Sequence, residues 1–322
     1  MEQLYYNQIS LFENLYQAHC KARKGKREKK EVIEYEIDLG QNLSRLQYQL
    51  KNFSYKMLPY RDFWIKDPKP RHIYATRYRD RIVQHSICDN VLEPYMERHL
   101  IYDNAASRLG KGTHFAMRRL TQFMRKFYRK YKIDGYILKC DIRKFYDSID
   151  HERLYRIYKK AFSEDEAFLW LLKMIIDSYE VKEGKGLPLG NQTSSWFALY
   201  YLNEMDRIIK EQMRIKYYTR YMDDFILLHY DKEYLKECLE KIRLYLTDTG
   251  KVIRKLRTSN KKRMKRKLKR FRHAYREGKI DFSSITRSIY SYQGHLSHGH
   301  TYHLRKNILN HLILTKGGNE KC

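Results

Sequence analysis

The sequence predicts a mixed α/β (α+β) fold in which helices dominate. Long stretches carry apolar residues at helical spacing, whereas a few short runs have the β-branched and aromatic composition of strands. Only 5 of the 322 residues are proline and 14 are glycine, which leaves little room for flexible linkers. We therefore expect one compact, multi-lobed body, and a change in composition places a domain boundary near residue 248.

The first hundred residues are predicted to contain three helices and a hairpin. Apolar spacing indicates helices at 8–20 and 40–52, separated by a basic run at 21–31 that is either a solvated loop or a contact with a phosphate backbone, the second being slightly favoured. Residues 55–83 alternate aromatic or β-branched residues with charged ones around an Asp-Pro-Lys-Pro turn, which is typical of a hairpin with one basic face. A helix is expected from 84 to 98.

The middle of the chain alternates helices and a strand. We expect a basic helix at 114–130, a buried strand at 136–142 that ends in a charge, and helices over 151–179 and 194–214. A glycine-containing loop separates the last two helices. The residues expected to cap the helix after this loop are Thr193, Ser194 or Ser195.

The remaining elements are a strand, turn and strand at 217–230 and a helix at 232–246. From residue 250 onward the chain becomes a basic helical segment with widely spaced apolar residues.

Charge points to nucleic acid as the first partner to test. The chain has 66 Lys and Arg against 38 Asp and Glu, a formal net charge of +28, with 30 Tyr and 13 Phe among the bases. Such a surface can follow a phosphate backbone and stack on bases. No apolar run is long enough for a membrane span or a signal peptide, and the five cysteines form no C-x-x-C pair, so we expect an intracellular chain with reduced thiols.

Two adjacent aspartates, Asp223 and Asp224, interrupt the β-prone stretch "YYTRYMDDFILLHY". Neighbouring carboxylates repel each other, so the simple interpretation is a solvated hairpin turn. The alternative is a metal site, because a third carboxylate, Asp141, ends the strand "YILKCDI". Two Mg²⁺ ions need carboxylate oxygens from separate segments and can drive phosphoryl transfer, which is polymerase chemistry.

At these residues the chain resembles the reverse transcriptases of diversity-generating retroelements, within the group II intron-like superfamily. The resemblance rests on "YMDD", "LKCDIRKFYDSIDH", "GLPLGNQTSSWFALYYLNEMD" and flanking segments, and it covers nearly the whole chain. It implies a right-hand polymerase with fingers and palm over 1–248 and a basic helical thumb over 249–322. It further implies a cytoplasmic enzyme encoded by a bacterium, an archaeon or a phage.

The resemblance also assigns roles to single residues. It makes Asp141, Asp223 and Asp224 the carboxylates that hold two Mg²⁺ ions, with the carbonyl of Ile142 as a further ligand, and dNTPs the substrates. Tyr146 matches the bulky residue that excludes a 2′-hydroxyl, with core packing as the weaker alternative. The residues that match the rest of the nucleotide pocket are Arg71, with Lys69 or Arg77 as helpers, and Leu189 and Gly190 in the loop.

The loop departs from the commoner reverse-transcriptase pattern of Gln-Gly followed by Ser-Pro. Leu189 stands in the place of the glutamine and Ser195 in the place of the proline. Aliphatic residues at the first place are typical of the retroelement family, whose enzymes misincorporate opposite template adenines, whereas that family usually has Gln where this chain has Ser195. We expect low fidelity, because a lost polar contact weakens discrimination by about 1 to 3 kcal/mol.

The predicted thumb carries the densest basic cluster. Four histidines between 295 and 303 lack carboxylate or cysteine companions, so we interpret them as a surface near nucleic acid and not as a zinc site. The predicted nucleic-acid contacts are Lys261, Lys262, Arg263, Lys265, Arg266 and Lys267.

After "YMDD" the family continues through a further strand and a primer-grip hairpin, and about 25 residues of this kind are missing here. The palm sheet would then have an open edge. Three functions follow: a mutagenic reverse transcriptase that copies a template RNA into cDNA, a defence-associated reverse transcriptase, or a catalytically weak RNA-binding subunit. The resemblance also implies a partner, a small basic accessory protein that forms a pentameric barrel.

Overall fold

The structure, a computed structural model, describes residues 3–66, 70–131 and 135–248, all of which belong to one compact unit. The predicted thumb, with its basic cluster and histidines, and Lys69 lie outside the described residues. The fold is mixed α/β, as predicted. Its helices are α1 (Leu4–Ser10), α2 (Phe12–Ala22), α3 (Lys30–Ile37), α4 (Leu39–Lys51), α5 (Tyr78–Ile87), α6 (Glu93–His99), α7 (Thr113–Tyr131), α8 (His151–Ala161), α9 (Glu166–Asp177), α10 (Gln192–Tyr201), α11 (Asn203–Arg207) and α12 (Lys232–Asp248). Its strands are β1 (Arg61–Ile65), β2 (Arg71–Ala75), β3 (Tyr136–Asp141), β4 (Tyr217–Tyr221) and β5 (Asp224–His229).

The amino-terminal helices pack on the central core through a buried carboxylate. Asp165 caps α9 by accepting from the backbone N–H of Phe168, and its other oxygen accepts from the N–H groups of Tyr5 and Tyr6 at 2.8 and 2.9 Å. One aspartate therefore satisfies the first N–H groups of two helices, which are otherwise left without intrahelical partners.

The basic run at 21–31 is not a loop throughout, because α2 extends to Ala22 and α3 begins at Lys30. Several of its bases lie beside acids. Lys21 Nζ is 3.1 Å from Asp89, Arg23 donates to Glu36 at 2.8 Å, and Lys30 is 3.6 Å from Glu34. These pairs favour a structural role for part of this run over contact with phosphates.

The predicted hairpin is shorter than expected, and the helix after it begins earlier. β1 and β2 pair antiparallel over 61–75, but α5 starts at Tyr78 instead of 84 and continues through a π-helical turn, Cys88–Leu92, into α6. The charged residues at its start had suggested the basic face of a strand. Asp80 is in fact buried and accepts from Tyr55 Oη and Leu58 N at 2.9 Å each, which fixes the first turn of the helix.

A three-stranded antiparallel sheet, in the order β3-β5-β4, lies between two apolar layers. Leu138 and Cys140 of β3 pack into the main core with Phe225 and Leu227, whereas the opposite face carries Leu228 and other residues packed under α7. β3 is thus half-buried with alternating burial, and the prediction of a buried strand was wrong. A segment that includes Asn104 bridges the outer edge of β4.

The outer edge of β3 has no strand partner within 3–66, 70–131 and 135–248. Cys20, Cys88, Cys140 and Cys238 are free thiols. Across the described residues, no helix has the length and apolar character needed to span a membrane.

Candidate active site

The site is built on the tight turn between β4 and β5. Tyr221 and Asp224 face each other as the last strand pair, so Met222 and Asp223 form the turn. Met222 has φ +53°, the left-handed value that a two-residue hairpin requires at its first central position and that a non-glycine residue rarely adopts. The turn therefore presents Asp223 and Asp224 from a constrained backbone.

Sheet register brings the third aspartate to the same place. Asp141, the last residue of β3, lies directly opposite Asp224, the first residue of β5. The N–H of Ile142 donates to the carbonyl of Asp223 at 3.3 Å. Asp141 precedes Asp223 by 82 positions in the chain, yet all three carboxylates meet at one end of the sheet.

The electrostatics of this end are unfavourable for bare carboxylates. Burial raises the pKa of the half-buried Asp223, and the charges on Asp141 and Asp224 raise it further. Asp224 is more exposed and has a cation beside it, Lys139 Nζ at 3.7 Å. A site that concentrates negative charge in this way gains most from a bound cation.

The residues present fit a hard divalent cation. No three His, Cys, Asp or Glu side chains among the described residues are already arranged as a metal site. The donors that converge here are nonetheless all oxygens, from carboxylates on two adjacent strand ends, which is the ligand chemistry Mg²⁺ prefers. Burial and the neighbouring carboxylates both raise the pKa of Asp223, and such an ion would offset the repulsion among the three charges.

Tyr146 lies against the aspartate turn. It begins a short 3₁₀ turn, Tyr146–Ser148, after β3, and its hydroxyl donates to Met222 Sδ at 3.9 Å. Burial raises the pKa of this hydroxyl, the Asp223 carboxylate raises it further, and a hydrogen bond with Ser195 opposes the rise. Tyr146 thus links the aspartate turn to the first turn of α10.

The loop before α10 is tethered to Tyr146 and lies beside the hairpin. The N–H of Leu187 donates to the carbonyl of Tyr146 at 2.9 Å. Gly190, at φ +109°, lies beside β2, where a Cβ placed on it would be 3.6 Å from Ile73 Cγ2, an ordinary van der Waals distance. Leu189, half-buried, stands between these two contacts.

The predicted cap of α10 was wrong. Asn191 occupies the N-cap position, and its side chain donates to Tyr60 Oη at 3.0 Å instead of capping the helix. Thr193 and Ser194 are buried inside the helix, and Ser195 is engaged with Tyr146.

Not all of the bases predicted to bind the triphosphate lie at the aspartate turn. Arg71 is the first residue of β2, opposite Ile65 at the distal end of the hairpin. Arg77 donates to Glu31 of α3 at 3.1 Å and to the carbonyl of Pro59 at 3.3 Å. In the structure Arg77 therefore joins the hairpin to α3.

A ladder of aromatic rings runs along one face of the hairpin. Trp64 stacks on its cross-strand partner His72 with ring centroids 4.7 Å apart, and His72 and Tyr74 follow at 4.5 Å. Tyr74 contacts Tyr179, which contacts Tyr60 beside Asn191. The side chain of Trp64 is 63% exposed, so the outer end of the ladder is open to solvent.

Sequence reasoning missed a buried ion pair under the aspartate turn. Arg220 of β4 is fully buried and forms a bidentate pair with Asp206 of α11, at 2.8 Å from Nε and 2.6 Å from Nη2. Tyr218 donates to the same carboxylate at 2.5 Å. The available signal was alternation: Tyr218 and Arg220 share the inward face of a strand, where an arginine needs a partner.

Similarity to solved structures is distant. The chain resembles Candida albicans telomerase in complex with a TWJ fragment of telomeric RNA (TM-score 0.47, 12% identity, 63% of this chain and 42% of that chain) and truncated apo telomerase from Candida tropicalis (0.46, 17%, 68% and 56%). It also resembles a partial Cas6-RT-Cas1–Cas2 complex (0.42, 18%, 75% and 42%). The chain spans about half the length of these structures. No curated protein has a significantly similar sequence.

The family is shown by sequence. Residues 66–269, more than half of the chain, match the family described as reverse transcriptase (RNA-dependent DNA polymerase). This match includes Asp141, Tyr146, Leu189 and the Asp223–Asp224 pair. The chain therefore belongs to the reverse transcriptase family.

Proposed function

We propose that the chain is an RNA-templated DNA polymerase of a diversity-generating retroelement, which copies a template-repeat RNA into adenine-mutagenised cDNA. The observation that carries the polymerase activity is the register of β3 and β5, which sets Asp141 opposite Asp224 and beside Asp223. Family membership supports the same chemistry. The template RNA, the primer and cDNA, and dNTPs are the proposed partners and substrates.

Each residue of the candidate site has a distinct role in the proposed reaction. Two Mg²⁺ ions held by Asp141, Asp223, Asp224 and the carbonyl of Ile142 would lower the pKa of the attacking 3′-hydroxyl and neutralise charge on the transferring phosphoryl group. The constrained turn and the strand register hold the carboxylates in place before substrate arrives. The ring of Tyr146, fixed between Met222 and Ser195, forms a wall that rejects a ribose 2′-hydroxyl.

The incoming triphosphate lies against the hairpin in this proposal. Arg71, with Lys69 or Arg77 as a helper, supplies the positive charge that a triphosphate needs, since guanidinium groups match phosphate oxygens in pairs. The position of Gly190 beside β2 supports this arrangement, because it brings the hairpin next to the loop that carries Leu189 and Gly190.

The mutagenic character is assigned to Leu189. Its half-buried aliphatic side chain belongs to a loop in which Leu187 is tethered to Tyr146 and Gly190 lies beside Ile73. Such a side chain fills volume without fixing the orientation of the nascent base pair, so a mispair loses little relative to the correct pair. The enzyme would act in the cytoplasm together with a small basic accessory protein that forms a pentameric barrel.

The polymerase activity is tested by Mg²⁺-dependent primer extension on an RNA template. Asp141→Asn is expected to abolish extension while leaving RNA affinity within about twofold, because it removes one ligand charge and little volume. Asp147→Asn is the matched control, since Asp147 lies beside Lys144 at 3.9 Å instead of beside the other carboxylates. Extension by Asp141→Asn within a few-fold of the parent would contradict the site assignment.

The mutagenic character is tested by sequencing cDNA made from one RNA. Leu189→Gln is expected to lower errors opposite adenine more than errors opposite the other bases, with some loss of rate if the pocket is tightly packed. Equal adenine error spectra for parent and variant would remove Leu189 from this role. An accurate parent enzyme would instead indicate a defence-associated reverse transcriptase.

One observation favours a second candidate, a catalytically weak RNA-binding subunit. The described part of the chain provides no strand for the outer edge of β3, which agrees with the missing segment after "YMDD". A parent chain that binds RNA but extends no primer under any Mg²⁺ concentration would support this candidate.

A further inference from the structure

Arg220 contacts the aspartate turn as well as its ion-pair partner. Besides the two bonds to Asp206, its Nη1 donates to the carbonyl of Met222 at 3.0 Å, and its Nη2 donates to the carbonyl of Leu199 at 3.1 Å. The guanidinium is fully buried and its donors reach α10, α11 and the turn. One side chain thus links the turn to two helices of the core.

The two successive carbonyls of the turn each accept a hydrogen bond from a different element. Arg220 holds the carbonyl of Met222, and the N–H of Ile142, directly after Asp141, holds the carbonyl of Asp223. The peptide groups that flank Asp223 are therefore both fixed, although Met222 adopts a left-handed φ that a non-glycine residue rarely takes. The carboxylate of Asp223 projects from this doubly held segment.

Arg220 is itself anchored through its backbone. Its N–H donates to the carbonyl of Asp103 at 3.1 Å, and its carbonyl accepts from the N–H of Ala105 at 2.9 Å. The carboxylate of Asp103 is in turn fixed by Arg119 at 2.5 Å and Lys210 at 2.8 Å. The backbone of Arg220 cannot shift without breaking its hydrogen bonds to Asp103 and Ala105.

A buried ion pair is a costly way to stabilise a core. Apolar side chains of similar volume often provide equal stability, because desolvation of two charges offsets most of their attraction. What apolar residues cannot provide is a donor to the Met222 carbonyl. The value of Arg220 at this position therefore lies in holding the turn.

We propose that Arg220 is a positioning residue that sets the geometry of Asp223 and Asp224 for divalent-cation binding by holding the Met222 carbonyl. This inference rests on the proposed polymerase function for its kinetic consequence, but its structural consequence concerns Mg²⁺ binding alone. Asp206 neutralises the guanidinium and orients it, so the pair acts as one unit.

The test separates the turn contact from the stability of the core. Tyr218→Phe is the control variant, because it removes one bond to Asp206 and leaves the bond from Arg220 to Met222 intact. The test variant adds Arg220→Met and Asp206→Leu to Tyr218→Phe, which replaces the pair with apolar residues and leaves no buried charge unpaired. Arg220→Lys is a second variant that retains the charge but not the fork of donors.

Two measurements are made on each full-length variant. The test variant is expected to unfold cooperatively like the control, to need about tenfold to a hundredfold more Mg²⁺ for half-maximal primer extension, and to lose most of the rise in Tm that Mg²⁺ gives the control. If the test variant does not fold, Arg220→Lys is expected to change both quantities in the same direction by a smaller factor.

The contrary outcome is equally defined. A folded test variant, or Arg220→Lys in its place, with a Mg²⁺ requirement and a Mg²⁺-induced Tm rise within twofold of the control would overturn the proposal. If the parent extends no primer, the polymerase proposal fails, while the Mg²⁺-induced Tm rise still decides the role of Arg220.

Discussion

Asp223 is a residue whose presence is expected to cost stability. Its pKa is raised in the fold, first by burial and then by Asp141 and Asp224, so the folded chain holds its proton more tightly than the unfolded chain. The stability contributed by that proton is present below the unfolded pKa of about 3.9 and is lost as pH rises through the raised folded value. At neutral pH the ionised side chain therefore destabilises the fold.

We predict that Asp223→Asn raises the Tm at pH 7 in the presence of EDTA, and that the difference from the parent shrinks toward pH 4. Addition of Mg²⁺ should reverse the order, because only the parent retains the full set of ligand charges. Thermal unfolding at both pH values measures this, with Asp147→Asn as the control that should show no such gain. A parent that is more stable than Asp223→Asn in EDTA at pH 7 would contradict the charge repulsion.

Tyr146 permits a second test at a single residue. Tyr146→Ala should admit rNTPs, because it removes the ring that stands between Met222 and Ser195 under the proposed sugar site. Tyr146→Phe keeps the ring and loses only the hydroxyl contacts, so it should retain the preference for dNTPs. The measurement is the ratio of rNTP to dNTP incorporation, and an unchanged ratio in Tyr146→Ala would leave Tyr146 with a packing role.

At the level of single residues, the sequence predicted which side chains form the candidate site but not the contacts that keep them in place. The convergence of Asp141 with Asp223 and Asp224 could be expected from strand ends and family resemblance. The pairing of Arg220 with Asp206 could not, because it joins a strand to a helix 14 positions away and depends on how α11 packs. The ion pair of Arg77 with Glu31 likewise needed the position of α3, a helix that the sequence analysis did not predict.

Among the elements, the hairpin of β1 and β2 has the most unusual surface. Every residue of β1 is exposed, yet its Trp64 begins a ladder of rings that leads to Tyr60, which accepts a hydrogen bond from Asn191 at the start of α10. Flat exposed rings stack on unpaired bases, and each such contact is worth about 1 to 3 kcal/mol.

We predict that Trp64→Ala weakens binding of single-stranded RNA by about fivefold or more, in line with the loss of one stacked base. Tyr48→Ala is the control, because Tyr48 is 67% exposed on α4 and takes part in no such ladder. Fluorescence anisotropy with a labelled RNA oligonucleotide measures both. Equal losses in the two variants would mean that the ladder has no special role in RNA binding.

The boundaries of the helices and strands show where the spacing of apolar residues is sufficient to predict an element. α7 and the β4-β5 hairpin were predicted within a few residues, because their apolar patterns are long and regular. α5 began earlier than expected, since the burial of Asp80 by Tyr55 and Leu58 turns a charged segment into a helix start. The cap of α10 was misassigned because Asn191 is used by a tertiary contact with Tyr60, which no local pattern reveals.

Across the whole molecule, the bases that give the net charge of +28 differ in how freely they can bind a negatively charged ligand. In the described part of the chain, bases such as Lys21, Arg23 and Lys30 already lie beside acids. The exposed face of α7 carries Arg118, Arg125 and further bases. The cluster at 261–267 has no acid among its own residues. We therefore expect the bases of α7 and of the cluster at 261–267 to make most of the contacts with a phosphate backbone.

The salt dependence of RNA binding tests this distribution. Each phosphate neutralised adds roughly 0.7 to 0.9 to the slope of log affinity against log salt, because it releases a condensed counterion. Bases that are already paired with acids release fewer, since their charge is partly compensated before RNA arrives. Two sets of six substitutions to Gln compare the clusters. The first set is Lys261, Lys262, Arg263, Lys265, Arg266 and Lys267, and the control set is Lys21, Arg23, Lys24, Lys26, Arg27 and Lys30.

We predict a steep slope for the parent and a larger reduction of that slope in the first set than in the control set. The same measurement serves as its own check on folding, because a variant that unfolds would lose affinity at every salt concentration instead of changing the slope. A flat response in the parent would indicate that its positive surface is neutralised internally. Equal reductions in both sets would show that the amino-terminal helices contribute to the nucleic-acid surface as much as the cluster at 261–267 does.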